Sequence, residues 1–314
     1  MDALSQLLTL ARVRVALDVR CRFGGKFEIR HDQLPAGEAA FHLLLSGRCR
    51  IRLDNGRELG LEGGDFVLLT RGHGHTVTDD DTTEGAAPPV RTVEGGALPL
   101  KCNDAGHGEG AADLLCGRYS YTSGAGSLFT GWLPDVLQVC LLDAAGQSAL
   151  GAVIGLLRAE AAGEPQPGAR AVIDGLGQAL LGLALRVIAH DENTAAGLLP
   201  LMVDTRLGPS VRAVLAVPGH PWTIAELGET VAMSRATYAR HFQARAGFGV
   251  GQFLTHVRMT HACVLLEQGS RSIADVAEAV GYSSEAAFSR AFRDTVGEAP
   301  GRWRRSLHRV DQAD

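Results

Sequence analysis

A segment that occurs twice in the last third of the chain constrains the fold more than any other feature of the sequence. Residues 224–227 (Ile-Ala-Glu-Leu) return at 273–276 (Ile-Ala-Asp-Val), and residues 234–242 return with similar character at 284–292. The first segment is repeated 49 residues later and the second segment 50 residues later, so the second copy contains one inserted residue. One structural unit is therefore present twice in this region.

Each copy begins with a signal for the start of a helix. Thr223 stands three residues before Glu226, and Ser272 stands three residues before Asp275. In such a capping box the hydroxyl and the carboxylate satisfy free amides of the first turn. A tight turn and a second helix follow in each copy, and the second helix carries two aromatic residues one turn apart that can be buried together. This pattern predicts two helix-turn-helix units.

The stretch between the two copies, residues 251–267, has apolar residues at helical spacing and predicts one rigid connecting helix. Such a connector can hold the second helices of both units about one duplex turn apart, roughly 34 Å, so that one chain enters two successive major grooves. The exposed faces carry Arg235, Arg240, Glu285 and Arg290, whose side-chain types can read guanine and cytosine. A plain helical bundle with a solvated arginine face is the alternative, but it leaves the duplicated capping boxes unexplained.

The region from about Leu207 to Arg305 resembles the DNA-binding domain of the AraC/XylS family. The matching segments include both repeated tetrads, residues 280–282 (Val-Gly-Tyr) and residues 297–300 (Gly-Glu-Ala-Pro). The resemblance implies a bacterial transcriptional regulator, an activator in the expected case, with double-stranded DNA and RNA polymerase as partners. It places the base-reading positions of that family on Arg235, Ala236, Ala239, Arg240, Glu285, Ala286, Ser289 and Arg290.

The N-terminal part of the chain has the pattern of a small β barrel. Residues 48–53 alternate between arginine and an apolar residue, and Asn55-Gly56 supplies a tight hairpin turn. We interpret the three arginines as a charged outer face, with an anion-binding site as the alternative. Residues 79–113 are rich in Asp, Pro and Gly, and this composition predicts a flexible insertion.

Three helices are predicted after the strands, at residues 134–142, 150–161 and 169–190. The last two form an antiparallel hairpin with apolar stripes, which predicts packing on the sheet or homodimerisation through residues 150–190. The longest apolar stretch contains Asp174 and Arg186, so we predict no membrane span and no membrane partner. The chain opens with an acidic residue, Asp2, which is unlike a signal peptide and predicts a cytoplasmic protein.

Residues 41–47, residues 61–69 and His75 resemble the cupin-type sensor domain that precedes such DNA-binding domains. The resemblance completes a predicted α+β architecture in three parts. These parts are a cupin-like β barrel with a helical hairpin at 1–198, a linker at 199–209, and an all-α DNA-binding domain with two helix-turn-helix motifs at 210–310.

Cupin barrels often hold a metal through several histidines and a glutamate, and this chain offers His42, His73 and His75. Leu44 stands where a second histidine of the first motif is usual, and the expected carboxylate is missing. We therefore predict no metal and no cofactor, with His42 and His75 bonding locally in the barrel wall. The sequence also lacks a nucleophile-and-base spacing, which predicts that the protein is not an enzyme. A metal-dependent cupin enzyme fused to a DNA-binding domain is the alternative.

The six cysteines are predicted to be thiols, as is usual in a cytoplasmic protein. Cys21 stands between Arg20 and Arg22, and neighbouring cations stabilise a reactive thiolate. The N-terminus, Cys21 and the residues around Cys116 resemble the reactive-chlorine-sensing member of the AraC/XylS family. This resemblance implies that Cys21 is the sensing thiol and Cys116 its partner, with Cys102 as an alternative partner. A small-molecule sensor with bystander cysteines is the other interpretation of this domain.

Overall fold

The computed structural model describes residues 2–79, 87–103, 111–121, 125–141, 147–164, 166–191 and 196–310. The chain divides into two compact units. The barrel unit comprises Arg14–Ser120 and Pro134–Ile188, and the helical unit comprises Met1–Val13, Tyr121–Leu133 and Ala189–Asp314. The predicted α+β class is confirmed, with both sheets in the barrel unit.

The strands are β1 Arg14–Phe23, β2 Glu28–His31, β3 Glu38–Ser46, β4 Arg48–Leu53, β5 Glu58–Glu62, β6 Asp65–Leu69, β7 His75–Thr78, β8 Arg91–Val93, β9 Leu100–Cys102, β10 Ala112–Ser120 and β11 Val136–Cys140. The helices are α1 Ala3–Ala11, α2 Ala125–Thr130, α3 Gln147–Ala162, α4 Ala169–His190, α5 Leu198–Val203, α6 Gly208–Ala216, α7 Ile224–Glu229, α8 Arg235–Ala246, α9 Val250–Glu267, α10 Ile273–Ala279, α11 Glu285–Val296 and α12 Pro300–Val310. One sheet has the strand order β11-β6-β3-β10-β1-β9-β8, and the other has the order β2-β7-β4-β5.

Residues of both sheets form one apolar core, and sequence alternation decides which side chains enter it. In β4 every second residue is buried, so its apolar side chains join the core while its arginines point outwards. The arginines face carboxylates of neighbouring strands, Arg48 with Glu62, Arg50 with Glu58 and Arg52 with Glu28. Because each cation has an acidic neighbour, this row is the charged outer face that the alternation predicts.

Residues 79–113 contain the strands β8 and β9, which corrects the prediction of a flexible insertion for its described part. β9 runs parallel to β1, and β8 pairs with β9. Leu98 and Asn103 are buried. The Asn103 side-chain amide accepts from the Gly24 N–H at 3.0 Å and donates to the Gly24 carbonyl at 2.9 Å.

Composition was misleading here because a three-residue strand needs few apolar residues when a long strand beside it supplies the hydrogen-bonding edge. The rest of the predicted insertion, residues 80–86 and 104–110, lies outside the described residues.

β11 is a second correction, since a helix was predicted at residues 134–142. The strand pairs antiparallel with β6 along its whole length, from Val136 opposite Leu69 to Cys140 opposite Asp65. A short apolar run does not separate helix from strand by its periodicity. The two β-branched residues, Val136 and Val139, favour the strand.

The predicted helical hairpin is present as α3 and α4, and both helices are attached to the sheet by hydrogen bonds to backbone carbonyls. Arg158 of α3 donates to the Leu45 carbonyl at 2.6 Å. Arg170 of α4 donates to the Leu17 carbonyl at 2.9 Å, and the Tyr119 hydroxyl donates to the Gly177 carbonyl at 2.9 Å. A methyl group on Gly177 would come within 2.9 Å of the side chains of Leu17 and Val15, so a larger residue here would force these side chains to shift.

By length and composition alone, α4 is long and apolar enough to cross a membrane, as are many core helices of globular proteins. Here the hydrogen bonds of Arg170 and Tyr119 join one face of the helix to β1 and β10 of its own unit.

The C-terminal repeat folds as predicted, into α7–α8 and α10–α11 with α9 between them. Both capping boxes are complete: the hydroxyls of Thr223 and Ser272 accept from the backbone N–H groups of Glu226 and Asp275, whose carboxylates accept in return. Ser234 and Ser284 cap the second helices with their hydroxyls, which accept from the backbone N–H groups of Thr237 and Ala287. The two aromatic pairs, Tyr238 with Phe242 and Phe288 with Phe292, are buried.

Two short segments from early in the chain pack with the C-terminal helices, a grouping that linear division of the sequence did not anticipate. α1 buries Leu7 and Ala11 in the helical unit. Arg12, which ends α1, lies 3.2 Å from the Glu267 carboxylate at the end of α9. α2 contributes Leu128 to the core around α9 and α11. The predicted boundaries, with a sensor domain that ends at residue 198 and a DNA-binding domain that begins at residue 210, describe domains as continuous segments and stay a prediction.

The predicted linker 199–209 contains α5 and the start of α6. Leu199, Leu201 and Met202 are buried, and the Gly197 N–H donates to the Arg245 carbonyl at 3.1 Å. The segment is therefore part of the core of the helical unit and not an exposed linker, because its apolar side chains are buried.

Candidate functional site

The predicted base-reading residues of the first unit lie on the exposed face of α8. Arg235, Ala236 and Arg240 are exposed, and Ala239 is half-buried. This orientation follows from the helical period, because Tyr238 and Phe242 point into the core and fix the opposite face towards solvent.

The second unit repeats the arrangement on α11. Glu285, Ala286 and Arg290 are exposed, and Ser289 is half-buried. Phe288 and Phe292 turn inwards. The eight predicted positions therefore share two equivalent helix faces, one in each unit.

The predicted DNA-reading arginines differ from other arginines of the helical unit in whether their guanidinium groups bond within the protein. Arg258 of α9 donates to the carbonyls of Pro218 at 3.1 Å and His220 at 2.9 Å, so it holds the loop before α7. Among the described residues, Arg235, Arg240 and Arg290 have no ion-pair or hydrogen-bond partner for their guanidinium groups. Within the described part of the chain, no acceptor competes for their donors.

The barrel unit brings Cys21 and Cys116 together on neighbouring strands. In the pairing of β1 with β10, Cys21 lies opposite Leu114 and Cys116 lies opposite Val19. The two cysteines are thus diagonal neighbours on one sheet face, and both are buried. The hydrogen bond to the Cys21 thiol, with burial as the next cause, raises the pKa of Cys116 well above its usual value. Cys49, also in this core, adds to that rise.

The alternative partner, Cys102, lies on the other face. In the parallel pairing of β9 with β1, Lys101 is opposite Cys21, and Cys102 is opposite Arg22. Paired residues project to the same side of a sheet and successive residues alternate. Cys102 is therefore directed away from Cys21, and Cys116 is the thiol that the fold places beside it.

Arg20 and Arg22 do not lie beside the Cys21 thiol, which corrects the prediction that they stabilise its thiolate. Both flank Cys21 in sequence, but strand alternation turns them to the opposite face of β1. Arg20 forms two hydrogen bonds with the Asp113 carboxylate, at 2.9 and 2.7 Å. Its positive charge is thus paired on the far side of the strand.

Three histidines meet beside Cys116, and one of them was missed by sequence reasoning. His42 of β3 and His75 of β7 place their Nε2 atoms 2.7 Å apart. His31, at the end of β2, stacks on His75 with ring centroids 4.7 Å apart. His73 is not in this group, and its Nε2 is directed towards Asp135 at 4.0 Å. His31 lies opposite His75 in the strand pairing, and no local sequence signal reveals that contact.

Burial favours the neutral form of all three rings. Burial, with further contributions from His75, Lys101 and Arg30, lowers the pKa of His31 to about 4. Burial is also the main cause that lowers the pKa of His42, far below its usual value, and of His75.

The hydrogen-bond partners assign the proton on each ring. His75 Nδ1 faces the His73 carbonyl at 2.8 Å and must donate to it, so His75 Nε2 carries a lone pair. His42 Nε2 then donates to His75. His42 Nδ1 is left to accept from the Cys116 thiol, whose Sγ lies 3.1 Å away. A chain of neutral donors and acceptors thus joins the thiol to the histidines.

These groups line a cavity of about 290 Å³ in the barrel unit. Its wall also contains charged side chains, among them Asp18, Lys101 and Arg118. The cavity is large enough for a small polar molecule.

Comparison with known proteins gives the family. Residues 2–190 match the family described as Cupin, and residues 227–306 match the one described as Helix-turn-helix domain. An uncharacterized HTH-type transcriptional regulator of Haemophilus influenzae is 31% identical over 98% of this chain and 99% of its own. A putative AraC-like transcription regulator of Streptomyces antibioticus is 31% identical over 97% of this chain and 99% of its own. The chain belongs to the AraC-like transcriptional regulators.

A further relative carries a more specific name. The RCS-specific HTH-type transcriptional activator RclR of Escherichia coli is 26% identical over 99% of this chain and 99% of its own. The predictions of an AraC-type helix-turn-helix region, a cupin domain and a DNA-binding regulator of transcription are confirmed by these matches. In this AraC-like regulator the exposed faces of α8 and α11 form the candidate DNA surface, and the cavity of the barrel unit is the candidate site for a signal.

Proposed function

We propose that this regulator activates transcription when Cys21 is oxidised, with Cys116 as the resolving thiol. The observation that carries the proposal is that these two buried thiols are diagonal neighbours on the same face of adjacent strands. The similarity to RclR, whose name describes an RCS-specific activator, supports it. DNA is read at the eight positions on α8 and α11, and RNA polymerase is the partner of the activating state.

The chemistry is a two-electron oxidation by hypochlorous acid. The Cys21 thiol reacts with HOCl to give the sulfenic acid, with release of chloride and a proton. The Cys116 thiol then attacks the Cys21 sulfur, which forms the disulfide and releases water. The two steps consume one HOCl and convert two thiols into one disulfide.

Disulfide formation would change the spacing of β1 and β10. Diagonal neighbours on antiparallel strands have Cα atoms about 7–8 Å apart, whereas a disulfide requires about 4.4–6.8 Å. Oxidation must therefore draw the two strands together locally. Only Arg12 and Val13 separate β1 from α1 in the chain. A shift of β1 therefore pulls directly on α1, which belongs to the helical unit.

The experiment measures binding to the promoter fragment beside the gene, together with transcription from it, before and after stoichiometric HOCl. Cys21→Ser is expected to abolish the oxidant response, and Cys116→Ser to leave a sulfenic acid without a disulfide. Cys140→Ser is the matched control, because Cys140 is a half-buried thiol of the same unit on the edge strand β11, separated from β10 and its Cys116 by the two strands β6 and β3. A response that survives Cys21→Ser would contradict the proposal.

The cavity supports a second candidate function, regulation by a small polar effector. In that case the cysteines are bystanders, and Cys21→Ser keeps the response to the effector.

We also propose that the protein acts in the cytoplasm as a regulator rather than an enzyme. A homodimer through α3 and α4 is a further part of the proposal, supported by the exposed apolar side chains of Leu156 and Val172.

A further inference from the structure

The strongest unassigned feature is the group of three imidazoles inside the barrel unit. The ligating nitrogens of His31, His42 and His75 all lie within 4.8 Å of one another. They come from three strands, β2, β3 and β7, so the fold rather than the local sequence assembles them. Imidazole is a preferred ligand of zinc, copper, iron and nickel.

The donor set fits a metal although two expected ligands of a cupin are missing. Cupin resemblance supplies His42 and His75, and Leu44 replaces a further histidine. His31 stands on the neighbouring strand and provides a third nitrogen. Three protein ligands with one open position are typical of zinc sites that remain accessible to small molecules.

The hydrogen bonds around the rings also suit metal ligation. His75 Nδ1 donates to the His73 carbonyl, which leaves the Nε2 lone pair directed at the other two rings. Such a bond from the second ring nitrogen to a carbonyl is the usual support of a metal-binding histidine. Metal binds imidazole in its neutral form, and the hydrogen bonds among these rings are those of neutral imidazoles.

We propose that His31, His42 and His75 hold one divalent transition-metal ion of the zinc type in the cavity of the barrel unit. The cavity provides the route for the ion, since His31 is only half-buried and lies in its wall. The proposal is independent of cysteine oxidation.

The site has a direct connection to Cys116. When His42 Nε2 binds a metal, the ring proton lies on Nδ1, the atom that faces Cys116 Sγ at 3.1 Å. The hydrogen bond between them then runs from the ring to the sulfur instead of from the thiol to the ring. The same imidazole would thus contact both the ion and the thiol.

The test uses the full-length, reduced protein without an affinity tag, dialysed against Zn²⁺ or Co²⁺ and then against metal-free buffer. We expect about one equivalent of Zn²⁺ per chain by elemental analysis, and for Co²⁺ the visible absorption of a nitrogen-ligated ion. His31→Ala and His31→Asn are expected to weaken Zn²⁺ binding at least about tenfold. The half-buried His31 is chosen because substitution of the fully buried His42 endangers folding.

His73→Ala is the matched control, because it removes a neighbouring imidazole that is not in the group and keeps the His73 carbonyl. It is expected to bind Zn²⁺ like the parent protein. Circular dichroism checks that each variant is folded. Less than about a tenth of an equivalent of Zn²⁺ in the parent, undiminished binding in both folded His31 variants, or an equal loss in His73→Ala would overturn the proposal.

Discussion

The two helix-turn-helix units are built on the same plan but closed in different ways. In the first unit the Tyr238 hydroxyl donates to Ser210 Oγ at 2.9 Å, and Ser210 in turn donates to the Leu207 carbonyl at 2.7 Å. The equivalent residue of the second unit is Phe288, which packs against the rings of Tyr282 and Phe292. A polar anchor to α6 and an apolar ring cluster therefore support the same supersecondary structure.

The turns of the two units differ as well. The first turn holds Ala232 at a φ of 54°, and the second holds Gly281 at a φ of 83°. Left-handed backbone is strained for alanine and free for glycine. The first unit tolerates this strain, whereas the second has a glycine that also lies against Gly219. The helix caps and the aromatic pairs thus define the helix-turn-helix unit, whereas the turn residues differ with their surroundings.

The largest expected effect tests whether the two cores are equivalent. Phe242 and Phe292 are both fully buried, so replacement of either by alanine leaves a cavity. We expect Phe242→Ala and Phe292→Ala each to lower the free energy of unfolding by about 3–5 kcal/mol. Urea denaturation followed by circular dichroism measures it. A difference above about 2 kcal/mol between them would break the equivalence.

The turns provide the next prediction. A methyl group at position 281 would lie 2.5 Å from the Gly219 carbonyl oxygen, and the positive φ adds strain. Gly281→Ala is therefore expected to cost about 1–3 kcal/mol of stability. In Ala232→Gly, relief of strain opposes the higher chain entropy of glycine, so stability should stay within about 1 kcal/mol of the parent. Equal losses in both variants would contradict this account of the turns.

The DNA-reading faces should be equivalent in binding if both units enter a major groove. We expect Arg240→Ala and Arg290→Ala each to weaken specific DNA binding by about 1–3 kcal/mol. Quantitative footprinting or fluorescence anisotropy on the promoter fragment measures the change. Arg212→Ala, an exposed arginine of α6 outside both units, is the charge-matched control. If only one of the two variants loses affinity, a single unit reads the bases.

The smallest effect concerns the polar anchor of the first unit. Tyr238→Phe removes the hydrogen bond to Ser210 and makes the first unit resemble the second. We expect a loss of about 1 kcal/mol in unfolding free energy, measured by the same denaturation experiment. A larger loss, comparable to that of Phe242→Ala, would mean that the hydroxyl determines the position of α6 rather than adding to it.

The helical repeat could be predicted closely because its signals are local. The box from Thr223 to Glu226 and the aromatic spacing from Phe288 to Phe292 act within one helical turn, so their geometry is independent of the rest of the chain. The alternation of β4 was equally readable, since a single strand with one wet face shows its own period.

The candidate sensing site was only partly predicted. Cys21 and Cys116 were selected by resemblance, and His42 and His75 by motif. The sequence offers His73 together with His42 and His75 and gives no sign of His31, because cross-strand contacts depend on register. Arg20 is adjacent to Cys21 in sequence, but strand alternation turns the two side chains to opposite faces of β1.

By itself, the sequence determined the elements whose signals lie within a few residues: the capped helices, the tight turns and the alternating strands. Only the tertiary structure decided which thiol faces Cys21, that His31 joins His42 and His75, and that α1 packs with the C-terminal helices. The physical reason is the range of the interactions. A cap or a helical period is satisfied within one turn, whereas strand register and core packing are fixed by side chains far apart in the chain.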